Sequence, residues 1–67
     1  MSSPSKTFGK EIAKERKNQG LSQDQLAVLA KMDRSYLSRI ERGLVSVTLE
    51  KATDLSVALK KPLRELI

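Results

Sequence analysis

Apolar residues recur at helical intervals along the chain, and no stretch alternates with the period of two that a half-buried strand shows. Phe8 and Ile12 share one face of a helix predicted from about Lys6 to Asn18, which stops at Gly20. Ser22 reads as the N-cap of a second helix, and Gln25 three residues on completes a capping-box pattern. That helix carries Leu26, Leu29 and Ala30 on its apolar side. Asp33 opens a third helix that runs through Arg42, with Gly43 as its stop. Thr48 caps a fourth, whose Leu49, Ala52, Leu55 and Leu59 form the apolar stripe. Pro62 suits the first turn of a short fifth helix bearing Leu63, Leu66 and Ile67. The expectation is an all-α, five-helix domain with neither internal repeat nor linker.

Composition then removes several functions. The 67 residues include no Cys and no His, which excludes disulfides, zinc clusters, thiol nucleophiles and imidazole bases. Most of the eight carboxylates lie beside Lys or Arg at helical spacing, as on a solvated surface, and there is no Gly-rich phosphate loop. An enzyme is therefore not expected, and neither is a metal or other cofactor. Residues 1–5 have no apolar run behind them and read as a disordered tail ahead of a domain spanning 6–67. No stretch has the roughly 18 apolar residues of a membrane span, so a cytoplasmic protein without membrane contact is expected.

The charge balance adds a partner. The net charge is +5, and residues 1–47 hold nine Lys/Arg against five Asp/Glu, while residues 48–67 hold four against three. The basic excess thus lies with the second and third helices, with Lys14, Arg16 and Lys17 just ahead of them. Steps of 100° through the third helix put Leu37 and Ile40 toward the core. Ser35, Arg39 and Arg42 fall roughly opposite, with Arg34 and Ser38 on one flank. Arg can present a bidentate fork to guanine O6 and N7, and Ser can bond several base edges. Arg34, Ser35, Ser38 and Arg39 are accordingly expected to read bases, and Arg42 at the helix end to meet a phosphate. By itself such a face could equally be the solvated side of an ordinary surface helix.

Gly20-Leu-Ser-Gln, the following Leu26-Ala27, and the run from Arg34 to Gly43 together resemble the lambda-repressor-like (Xre-type) helix-turn-helix family. Within it the chain is most similar to restriction–modification controller proteins and small phage Cro-type repressors. The resemblance implies that the second and third helices form the helix-turn-helix and that double-stranded operator DNA is the partner. It further implies a phosphate contact from the Gln23 side chain, and an Arg16–Glu41 pair that orients the guanidinium toward the DNA backbone or pins two helices together. Tyr36 is left open between a phosphate or thymine contact and a core-edge aromatic. Lys31 stands where the family turn has Gly, so a non-Gly residue is expected in the left-handed region. The loop Leu44–Val47 lacks the cations many relatives carry, leaving Ser46 as its phosphate candidate. Lys60-Lys61 replaces a common Gly-apolar step.

The apolar surplus near the C-terminus suggests a symmetric homodimer, with Val57, Leu63, Leu66 and Ile67 at its interface. Two reader helices would then lie about 34 Å apart on a pseudo-palindromic operator. The expected function is a dimeric, sequence-specific transcriptional regulator, repressing by occlusion or activating by touching RNA polymerase. The alternative is a protein-interaction or antitoxin-like module that retains the fold, which fold alone cannot separate from the first.

Overall fold

The computed structural model describes residues 3–67 and contains four α-helices: Pro4–Asn18 (α1), Gln23–Leu29 (α2), Arg34–Glu41 (α3) and Leu49–Leu59 (α4). A single 3₁₀ turn, Leu63–Glu65, stands where a fifth helix was expected. Its bonds are the short kind, Glu65 N–H to the Pro62 carbonyl and Leu66 N–H to that of Leu63. Residues three apart eclipse in such a turn. Leu63 and Leu66 therefore both face inward, and Leu66 is only 2% exposed. This corrects its expected place on a dimer surface: Leu66 is a core residue.

The helix starts follow local chemistry. Ser22 Oγ accepts from Gln25 N–H (3.0 Å) while Gln25 Oε1 accepts from Ser22 N–H (2.8 Å), a complete capping box. Thr48 Oγ1 accepts from Lys51 N–H (3.2 Å). Asp33 occupies the α3 cap position without a side-chain cap bond. The first helix begins earlier than expected, because Ser3 Oγ accepts from Lys6 N–H and Pro4 takes the first turn. Residues 3–5 thus belong to the cap and the helix rather than to a tail; residues 1 and 2 lie outside the described residues.

All four α-helices end on a left-handed residue: Gly20, Lys31, Gly43 and Lys60. At Lys31 (φ 58°), Met32 N–H bonds the Ala27 carbonyl and Lys31 N–H that of Val28. These are the paired bonds of a Schellman stop. A side chain in that region costs about 1–2 kcal/mol, and glycine's chain entropy returns part of this. Lys31→Gly is therefore expected to stabilise the domain by about 0.5–1 kcal/mol in urea denaturation. A destabilised variant would mean that the Lys31 side chain makes a compensating contact.

Phe8, Ile12, Leu26, Ala27, Ala30, Leu37, Ile40, Leu55, Leu59 and Leu66 form the core, to which every helix contributes. Two residues read as core lie outside it: Leu49 is 75% exposed and Leu29 is also exposed. Each stands at the end of a helix, rotated off the stripe its neighbours complete.

Close approach of α1 to α3 depends on glycine. A Cβ on Gly9 would collide with the Ile40 carbonyl oxygen and lie 2.9 Å from that of Glu41. Gly43, at φ +72°, meets α1 from the other side, where a Cβ would lie 2.7 Å from Lys6 Cα. These contacts set the distance at which side chains of α1 reach α3.

Candidate nucleic-acid interface

With Leu37 and Ile40 fully buried, α3 turns its opposite side outward. Arg34, Ser35, Arg39 and Arg42 are exposed there and Ser38 is half-buried. Three guanidinium groups and two hydroxyls thus share a face with no carboxylate of α3 among them. The only acid in α3, Glu41, points instead to the flank where α1 and α2 meet.

That flank is held by a polar network. Arg16 Nε donates to Glu41 Oε2 (2.8 Å) and Nη2 to Oε1 (3.0 Å), a bidentate pair. Arg16 Nη1 also donates to the Leu21 carbonyl (2.9 Å), in the loop before α2. The two side chains are 11% and 6% exposed. Arg16 therefore ties α1 to α3 and to the α2 entry, the helix-pinning role expected of the pair, with its fork turned inward. The Lys14–Arg16–Lys17 cluster is split accordingly, with only the two lysines exposed.

Gln23 joins the same network. Its Nε2 donates to Glu41 Oε1 (3.0 Å), which turns the amide oxygen outward. The bond to Glu41 uses one of the two Nε2 protons. The oxygen lies 3.5 Å from Arg34 Nη1. Arg34 Nε in turn is 3.3 Å from Asp24 Oδ1. Arg39 makes no ion pair among the described residues, and Arg42 Nε only approaches the Ser38 carbonyl at 3.4 Å.

The remaining candidates divide. Tyr36 is half-buried against the core and lines an open cleft with Ala27, Met32 and Lys51, so its ring is a core-edge group. Ser46 is exposed, beside a groove lined by Phe8, Val47, Leu63 and Ile67. Val57 (70%) and Ile67 (74%) are exposed, while Leu63 is half-buried on the core. Val57 continues a face from Leu49 through Thr53, whose hydroxyl is satisfied by the Leu49 carbonyl (2.8 Å). Two contributors had escaped the sequence reading. Gly9 carries no chemical signal in a helix, and Asp24 meets Arg34 only once α2 is packed on α3.

The pattern of a helix-turn-helix family matches residues 12–66. Among solved structures, the chain is similar to the restriction-modification controller protein C.AhdI from Aeromonas hydrophila. The two are 40% identical, covering 94% of this chain and 96% of that one, with a TM-score of 0.91. It is also similar in fold to the clp gene regulator ClgR from C. glutamicum (23% identity, 98% of this chain and 86% of that one, TM-score 0.95). No curated protein sequence matches significantly.

Proposed function

The chain belongs to the Xre-type helix-turn-helix family of DNA-binding transcriptional regulators, and from that premise we propose that it is a dimeric, operator-reading regulator of the restriction–modification controller type. The observation that carries this reading is the outward face of α3, where Arg34, Ser35 and Arg39 are exposed and Ser38 is half-buried, beside the first turn of α2. In a helix-turn-helix the N-terminal part of the second helix enters the major groove, and arginine forks there select guanine. Likeness to C.AhdI over nearly the whole of both chains supports the controller assignment.

Base reading falls to Arg34, Ser35, Ser38 and Arg39, and phosphate contact to Arg42 and Ser46. The dimer surface lies on the outward stripe Leu49–Thr53–Val57 together with Ile67, all exposed in the single chain. Burying such a stripe against a second copy would remove apolar area from water and set two reader helices about one DNA turn, roughly 34 Å, apart. Bound beside a promoter, the dimer would repress by occlusion or activate by touching RNA polymerase.

Selection from a randomised duplex pool, followed by salt titration of the enriched site, tests the proposal. A palindrome with half-sites one turn apart, bound with log K falling steeply against log salt, is the expected result. Weak, salt-labile binding without enrichment would instead favour an interaction module. Arg39→Ala is expected to cost about 1–3 kcal/mol of binding and to relax preference at one base position per half-site. Uniform weakening on all sequences would make Arg39 a phosphate contact instead.

A further inference from the structure

Arg34 and Arg39 occupy the same face of α3 under different constraints. Arg34 is the first residue of its helix, where unpaired backbone N–H groups and the positive end of the helix dipole disfavour a cation. Asp33 offers no side-chain cap bond to offset this. Beside the Asp33 charge, a carboxylate and an amide oxygen reach Arg34 from α2: Asp24 Oδ1 lies 3.3 Å from Arg34 Nε, and Gln23 Oε1 lies 3.5 Å from Nη1. The orientation of Gln23 is itself imposed, because Glu41, already paired with Arg16, accepts from its Nε2. Arg34 is thus approached by an amide oxygen and a carboxylate, and its Nη2 makes no hydrogen bond among the described residues. Arg39 has no comparable support.

We infer that Asp24 is a specificity-positioning residue, which aims the Arg34 guanidinium at the base edge while lowering affinity for any duplex. The inference rests on the DNA-binding reading above. The second half follows from placement: Asp24 is an exposed carboxylate in the first turn of α2, within 3.3 Å of the Arg34 guanidinium, so any duplex that Arg34 meets is met by its charge as well. Its charge repels every duplex alike, whereas its hold on Arg34 matters only at the base pair Arg34 reads. Preorganising that side chain in the free protein reduces the ordering required on binding. An exposed pair of this kind has a small effect, so the expected changes are modest.

Asp24→Asn removes the charge and keeps the shape. Relative to the wild type, it is expected to bind random duplex about twofold more tightly. Discrimination should fall about two- to fivefold at the single base position that Arg34→Ala identifies, and at no other. Arg34→Ala combined with Asp24→Asn should lose no further discrimination there. Equal discrimination at that position in Asp24→Asn and wild type, or an equal loss at every position, would overturn the inference. A DNA-free measurement separates it from the reading it rests on. ¹⁵N relaxation of the arginine Nε–H groups should find Arg34 more restricted than Arg39 in wild type, and equal to it in Asp24→Asn. Equal mobility of the two in wild type would refute the positioning role even if operator binding were established. Restricted Arg34 with no wild-type base preference on any duplex would instead refute the DNA-reading assignment.

Discussion

Glu41→Ala is expected to cost about 3 kcal/mol of stability, because it leaves the Arg16 guanidinium largely buried without its counter-charge. Three donors lose their acceptor at once: Arg16 Nε, Arg16 Nη2 and Gln23 Nε2. A chain of this length has only about 3–10 kcal/mol in all. The thermal midpoint should therefore fall by roughly 12–24 °C, and part of the population could be unfolded at 37 °C. Calorimetry or circular dichroism reads the shift. The cost belongs to the unpaired charge rather than to any large net gain from the pair, which gives the experiment a second arm. Replacing both partners, as Arg16→Met with Glu41→Leu, should recover most of the lost stability. A single Glu41→Ala variant within about 0.5 kcal/mol of wild type would show that water reaches Arg16 freely. Loss of Glu41 also frees Gln23 to turn, which couples this stabilising network to the exposed face of α3 where Arg34 lies.

Gly9→Ala should destabilise by about 1–3 kcal/mol, opposite in sign to the usual effect of that exchange. Inside an ordinary helix, alanine in place of glycine gains about 1 kcal/mol. Here the added methyl would meet backbone carbonyl oxygens of Ile40 and Glu41, which cannot rotate away as a side chain could. The relief available is for α1 to move off α3, which would lengthen the Arg16–Glu41 contact and expose Ile12. Urea denaturation measures the outcome. A stabilised Gly9→Ala would show that the two helices stand further apart than the contacts at Gly9 require.

Much of the architecture was legible because its signals are local. The caps at Ser22 and Thr48 act over three residues, and Gly20 and Gly43 mark helix ends directly. Lys31 in the left-handed region was legible only through the family pattern, since nothing intrinsic to lysine favours it. Errors gathered where position in space outweighs local pattern. Leu49 and Leu29 fit a loose apolar period but are rotated off the buried stripe, as Ala30, 1% exposed one residue beyond Leu29, makes plain. Leu66 looked like surface surplus until a 3₁₀ turn, rather than a helical one, brought it under α4 beside Leu63. The basic cluster before α2 looked uniform, yet Arg16 points inward while Lys14 and Lys17 point out.

Intervals along the chain were enough for the all-α class, the starts of α2, α3 and α4, the pairing of Arg16 with Glu41, and a third helix with its arginines opposite Leu37 and Ile40. Each of these depends on intervals of a few residues or on a pattern shared with a family. Which cations are free and which are committed follows from helix packing instead. Arg16 is fixed by Glu41, which lies 25 residues away, and Arg34 leans on Gln23 and Asp24 across a helix boundary. Those contacts exist only because Gly9 lets α1 approach α3 and the core holds α2 against it. Side-chain direction at such sites is set by distance between helices, a quantity that linear spacing does not carry.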